Sequence, residues 1–262
     1  MSDIFDLNSK VCVVTGAASG LGERFAEALA EHGAKVVCCA RRKDRIDEVA
    51  ARINDNGGTA LALSLDVTDT SAYEAFFDDV ERELGIVDVL VNNAGIGGSG
   101  STLNASREGW DYTLAVNLTA PFDLGRIVAQ KLVAAGKPGS IINISSILGI
   151  GANTDADYSV TKAALLQLTR SMALDFAPHK IRANTIAPGF FASEMTDTYI
   201  EGEFRENLIK QIPLRRFGKP EELDGLILLL ASDASSFMTG SCIVVDGGQT
   251  CQVAGVVRSG EA

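Results

Sequence analysis

Tyr158 stands four residues before Lys162 in the helix-like run Ala156-Asp157-Tyr158-Ser159-Val160-Thr161-Lys162. That spacing puts both side chains on one helix face, a turn apart. A free phenol ionises near pH ~10 and is a poor proton donor or acceptor at neutral pH. An ammonium beside it stabilises the phenolate, lowers that pKa and makes tyrosine a usable general acid/base. Taken alone, the pair describes an exposed helix face equally well. A second pattern is Thr15-Gly16-Ala17-Ala18-Ser19-Gly20-Leu21-Gly22, which follows an apolar run and opens into a helix. Glycines there allow a tight turn, close approach by a phosphate, and tight helix–sheet packing. The helix N-terminus adds unpaired N–H groups and the positive end of its dipole, which suit a pyrophosphate. The spacing is G-x-x-x-G-x-G, unlike the commoner dinucleotide spacing G-x-G-x-x-G.

The elements that must hold these residues are legible as an alternation. Short apolar runs at 11–15, 35–40, 60–66, 87–92, 140–145, 181–187 and 242–245 are nearly continuous in Val, Ile, Leu, Ala and Cys. Strands covered on both faces read this way, as in a parallel sheet. Helix-length amphipathic segments lie between them near 20–32, 43–56, 70–84, 106–135, 158–177 and 220–232. Gly33, Gly57-Gly58, Gly85 and Pro178 punctuate their ends. The expectation is one α/β domain over residues 1–262, a Rossmann-type doubly wound seven-stranded parallel sheet with helices on both faces. Residues 190–216 break the rhythm and read as an insertion able to cover a site.

Composition narrows the function. Hydrophobic residues at 46% and charged residues at 22% describe an ordinary globular chain rather than a disordered or fibrous one. Lys plus Arg number 23 against 34 Asp plus Glu, a net charge of −11, so nucleic acid and anionic membranes are not expected partners. Apolar runs are too short to span a bilayer, and the start MSDIFDLNSK lacks the apolar core of a signal peptide. An odd set of five cysteines without C-x-x-C spacing suggests buried thiols in the cytoplasm. Adjacent Cys38 and Cys39 should point to opposite faces of a strand. With His32 and His179 as the only histidines, no metal site is expected.

Further polar residues gather where strands end or helices begin: Asn92-Asn93-Ala94-Gly95, Asn117, Ser145-Ser146 and Pro188-Gly189. Ligands of open α/β sheets bind at the carboxyl ends of the strands. With the glycine-rich turn and the Tyr158/Lys162 pair, these motifs resemble the short-chain dehydrogenase/reductase family, in the family's order and across roughly residues 7–250. The resemblance implies Tyr158 as general acid/base, and Lys162 as the group that lowers its pKa and holds the nicotinamide ribose. It implies Ser146 as the hydroxyl that bonds the substrate oxygen, with Ser145 competing, and Asn117 as the residue placing a water in a proton relay. Cofactor contacts are implied at Gly16, Ser19, Gly20, Leu21, Gly22, Asp66, Val67, Asn93, Ala94 and Gly95. Pro188, Gly189 and Ser193 would clasp the carboxamide end.

The implied reaction is reversible hydride transfer between a nicotinamide dinucleotide and a ketone/secondary-alcohol pair. A non-catalytic nucleotide-sensing regulator on the same fold, an epimerase or dehydratase, and an NAD-dependent dehydrogenase of a sugar acid or hydroxy compound are the alternatives. Cofactor choice turns on the end of the second strand, where an acidic residue would select NAD. Counting along the run places neutral Ala40 there, followed by Arg41, Arg42 and Lys43. A guanidinium at Arg41 can pair with a 2′-phosphate, which favours NADP(H) over NAD(H). Apolar residues over 158–176 exceed one core-facing stripe, so a second face needs burial, and a homodimer or homotetramer is expected.

Overall fold

Alternate residues of the apolar runs go to opposite sides of one sheet, which explains why the runs show no polar alternation. Val14, Cys38, Val91 and Ile142 join one core cluster with Phe25 and Leu29, while Val13, Cys39, Leu90 and Ile141 join another with Phe77 and Leu132. Cys38 and Cys39 therefore do face opposite ways. The computed structural model describes residues 4–192 and 201–251. Its strands are β1 (Val11–Thr15), β2 (Lys35–Ala40), β3 (Thr59–Ser64), β4 (Val89–Asn92), β5 (Gly139–Ile144), β6 (Ile181–Pro188) and β7 (Cys242–Val245). They form a seven-stranded sheet in the order β3-β2-β1-β4-β5-β6-β7, and every neighbouring pair is parallel. The order reverses direction at β1, which pairs with both β2 and β4. That leaves a crevice at their carboxyl ends.

The helices are α1 (Gly20–Glu31), α2 (Lys43–Asp55), α3 (Tyr73–Glu83), α4 (Arg107–Leu114), α5 (Ala120–Ala135), α6 (Ala156–Phe176), α7 (Gly202–Gln211) and α8 (Asp224–Ala231). α1, α2 and α8 pack on one face of the sheet, and α3, α5 and α6 on the other. Three boundaries differ from expectation. The single helix expected over 106–135 is broken by a π-helical turn, Ala115–Thr119, in which the Ala120 N–H bonds the Ala115 carbonyl five residues back. Pro121 supplies a local reason, having no N–H to return to Asn117. The sheet pairing of the third run ends at Ser64, which leaves Asp66 and Val67 in the loop beyond it. Within the expected insertion 190–216, residues 202–211 fold as α7, and Leu208 and Ile212 pack with Phe217 in a small separate cluster. Among the described residues no helix is long and apolar enough to cross a membrane.

Candidate active site

The glycine-rich turn takes shape through β4. Gly16 and Gly20 adopt φ values of +70° and +61°, in the left-handed region that favours glycine. A Cβ at Gly22 would stand 2.3 Å from the Gly16 carbonyl oxygen, so only glycine lets α1 start this close to the turn. Asn93 locks the arrangement. Its side-chain amide donates to the Thr15 carbonyl at 2.9 Å and the Gly16 carbonyl at 3.3 Å. The Thr15 hydroxyl accepts in return from the main-chain N–H groups of Asn93 and Ala94, both at 3.0 Å. Ser19 caps α1 in an extended conformation, and its hydroxyl accepts a 3.0 Å bond from Arg42 rather than closing on the helix. The first turn of α1 thus faces the crevice with its N–H groups, a cradle that fits a pyrophosphate.

At the adenosine end, Arg41 donates to the Tyr112 hydroxyl at 2.9 Å and lies 3.8 Å from an Asp66 carboxylate oxygen. Bonds from the Thr68 N–H and hydroxyl, with help from Arg41, outweigh burial and hold the Asp66 carboxyl below the usual range. Val67 is buried in the second core cluster. At the other end, Gly189 donates to the Val245 carbonyl at 2.9 Å. Its missing Cβ would meet Asp246 at 2.8 Å, so the Pro188-Gly189 corner is packed against the end of β7. Ser193 lies outside the described residues.

Between these ends sit the catalytic candidates. Lys162 is buried and donates to the Ile144 carbonyl at 2.9 Å, with its ammonium 5.6 Å from the centre of the Tyr158 ring. Burial alone pulls the Lys162 pKa down to about 8. Burial holds the Tyr158 phenol above its ordinary value, and its interaction with the Ser146 hydroxyl offsets only part of that rise. Ser145 points elsewhere, donating to the Lys162 main-chain carbonyl at 2.8 Å. The structure therefore brings Ser146, and not Ser145, to the phenol. Gly149 lies against the Lys162 main chain, where a Cβ would come within 2.7 Å. Asn117 is fully buried in the π-turn. Its side chain accepts from the Ile96 N–H at 2.9 Å and donates to the Ile96 carbonyl at 3.0 Å. Gly95 links the two: a Cβ there would lie 3.3 Å from the Lys162 ammonium and 3.4 Å from the Asn117 side-chain oxygen. Four separated segments thus converge beside the glycine-rich turn.

Asp157 is buried with its carboxylate oxygens engaged by Ser99, Thr113 and Tyr158. Nothing in the spacing marks it, because its partners lie far away along the chain. A cavity of about 210 Å³ between Phe190, Phe191, Leu214, Arg216 and Asp246 lies by the ends of β6 and β7, and none of the catalytic candidates lines it. Among the described residues no cluster of His, Cys, Asp and Glu could hold a metal ion.

Residues 16–250 match the family model described as enoyl-(acyl carrier protein) reductase. The gluconate 5-dehydrogenase of Gluconobacter oxydans (strain 621H) is 38% identical over 250 residues, covering 95% of this chain and 97% of that protein. The chain belongs to the short-chain dehydrogenase/reductase family. The 3-oxoacyl-[acyl-carrier-protein] reductase of Thermotoga maritima is likewise 38% identical, over 92% of this chain and 98% of its own. A crystal structure of a gluconate 5-dehydrogenase from Burkholderia cenocepacia J2315, in complex with NADP and tartrate, superposes with a TM-score of 0.91 at 36% identity. It covers 96% of this short-chain dehydrogenase/reductase and 99% of the other chain.

Proposed function

We propose that this protein is an NADP(H)-dependent oxidoreductase that interconverts a ketone and a secondary alcohol, with Tyr158, Ser146, Lys162 and Asn117 as its working residues. The observation that carries this reading is the convergence of Tyr158, Ser146 and the Lys162 ammonium beside the glycine-rich turn. Gly16, Ser19, Gly20, Leu21 and Gly22 would hold the pyrophosphate, Asp66 and Val67 the adenine, and Asn93, Ala94 and Gly95 the groove wall. Pro188, Gly189 and Ser193 would hold the carboxamide. When bound, the nicotinamide supplies or accepts the hydride.

In the reducing direction Tyr158 donates its hydroxyl proton to the substrate oxygen, and in oxidation it takes that proton back. Ser146 donates a hydrogen bond to the same oxygen where charge develops. Lys162, charged at neutral pH with its pKa near 8, stabilises the phenolate left behind. The Asn117 side chain braces Ile96. Its main-chain carbonyl, to which Pro121 returns no N–H, is then the group that would hold a relay water. Tyr158→Phe removes the transferable proton and little else. Turnover should fall about 100-fold or more while NADPH affinity, read by fluorescence titration, stays near wild type. Turnover equal to wild type on a panel of ketones would remove Tyr158 from this role.

NADP(H) is favoured because Arg41 and Arg42 both reach the adenosine end, Arg42 through Ser19. Residues 190–216 are the segment that we assign to substrate, and sugar acids, 3-oxoacyl groups and other hydroxy or keto compounds are the classes to test. The relatives named for gluconate and for 5-keto-D-gluconate support trying 5-keto-D-gluconate first. The buried thiols Cys12, Cys38 and Cys39 favour a reducing compartment, the cytoplasm. Apolar side chains exposed on α5 and α6, Phe122, Val133, Val160 and Leu174, favour a homotetramer or homodimer.

A further inference from the structure

Asp157 is a carboxylate with no exposed surface, immediately before Tyr158 in the first turn of α6. One oxygen accepts from the Ser99 N–H at 2.9 Å, the Ser99 hydroxyl at 2.6 Å and the Thr113 hydroxyl at 3.0 Å. The other accepts from the Tyr158 N–H at 2.9 Å and, more weakly, from the Ser99 N–H at 3.2 Å. Three elements meet on this one group: the loop after β4, helix α4 through Thr113, and helix α6. A buried charge is tolerated only when its lone pairs are satisfied, and here they are. The surroundings are shaped to allow the approach. A Cβ on Gly98 would lie 2.7 Å from an Asp157 oxygen, and one on Gly109 would lie 2.5 Å from the Ser99 Cβ. The same loop begins at Ile96, whose main chain is held by Asn117.

We propose that Asp157 is a positioning residue: it clasps the 96–106 segment and α4 to the start of α6, so that this loop and the Tyr158 main chain move as one unit. The proposal rests on the reading of Tyr158 as the acid/base. Without the carboxylate, the Ser99 N–H, the Thr113 hydroxyl and the Tyr158 N–H lose a buried acceptor together, and loop and helix are free to separate. Misplacement of a reacting group by an ångström is enough to lower turnover without unfolding the protein.

The test compares Asp157→Ala, Asp157→Asn, Thr113→Val and Gly98→Ala in the full chain, with Tyr158→Phe as reference. Two readouts go beyond stability. One is kcat and KM with NADPH and the fastest ketone of the panel, at a temperature well below each variant's Tm. The other is the ionisation of Tyr158, from the tyrosinate absorbance difference between each protein and its Tyr158→Phe counterpart, which needs no substrate. Asp157→Ala should lower kcat about 10- to 100-fold while NADPH affinity changes by less than about twofold. It should also move the Tyr158 ionisation by about half a pH unit or more. Asp157→Asn should recover part of the loss: its oxygen still accepts from the Tyr158 N–H and, more weakly, from the Ser99 N–H, and its amide can donate to hydroxyls that turn to receive it, while the closer Ser99 N–H contact becomes donor against donor. Thr113→Val and Gly98→Ala disturb the clasp from the far side and should shift both readouts in the same direction; they carry the test if Asp157→Ala does not fold. Variants with lower Tm but wild-type kcat and wild-type Tyr158 ionisation would overturn the proposal, as would NADPH affinity falling in step with kcat. If Tyr158→Phe itself turns over like wild type, the acid/base reading fails instead, and the Asp157 result does not bear on that failure.

Discussion

The Arg41 guanidinium, set between the Tyr112 hydroxyl and the Asp66 carboxylate, offers a 2′-phosphate paired donors that cannot be matched by a ribose diol. Replacing Ala40 with Asp and Arg41 with Ile should exchange that donor for an acceptor of the two ribose hydroxyls. Catalytic efficiency with NADPH relative to NADH should then fall at least about tenfold, or roughly 1.4 kcal/mol of differential binding. A double variant that still prefers NADPH would show that the phosphate is read elsewhere. Lys162 gives a second residue-scale outcome. Its pKa is pulled from 10.5 to about 8 by burial, so between those values the unfolded chain binds more protons than the native one. Stability must then rise with pH across that window. Compared with Lys162→Met, wild type should gain stability from about pH 8 towards pH 10.5 in urea titrations. A difference between the two proteins that is flat with pH would mean that the ammonium is not desolvated in the fold.

At the scale of elements, the proposed cofactor cradle is a joint between α1 and the ends of β1 and β4 rather than a property of one loop. Asn93 spends its amide on the turn carbonyls, and Gly22 lets α1 start against them. Gly22→Ala puts a Cβ 2.3 Å from the Gly16 oxygen and 2.4 Å from the Asn93 amide nitrogen. The turn has to open, at a cost of about 1–3 kcal/mol of stability, and calorimetry should find NADPH binding weakened about tenfold or more. Unchanged affinity would mean that the cradle is not the pyrophosphate site. The π-turn holds Asn117, whose side chain bonds both main-chain groups of Ile96 in the loop after β4.

For the whole molecule, the strand order sets the crevice, and the exposed apolar faces are the basis of the proposed assembly. Leu174 is 80% exposed, Val160 47% and Phe122 45%, on helices whose other sides already fill the core. Light scattering should return a multiple of the 27.6 kDa chain mass, and Leu174→Glu should shift the population towards a smaller species with its circular dichroism unchanged. A wild-type protein that runs as a single chain would remove the assembly.

The alternation of runs and helices was enough to determine the sheet, because both faces of every inner strand are covered and apolar residues are required at consecutive positions. Val13 and Val14 enter different cores for that reason. The Tyr158/Lys162 pair and the glycine-rich turn were legible because their geometry is local: one helical turn in the first case, one strand–helix junction in the second. What depended on contacts between distant segments was not. Ser145 and Ser146 compete in the sequence, where only the resemblance favours Ser146, and the packing of α6 against β5 turns one to the Lys162 carbonyl and the other to the phenol. The short helix α7 was likewise decided by the fold, in sequence that reads as irregular insertion, whereas the break at Asn117 had a local signal in Pro121 that a continuous helical reading passes over. Nothing in the spacing marked Asp157 as a buried charge. Its burial exists because Ser99 and Thr113, 58 and 44 residues away, are folded onto it, and such satisfaction of a buried charge is a property of the tertiary structure alone.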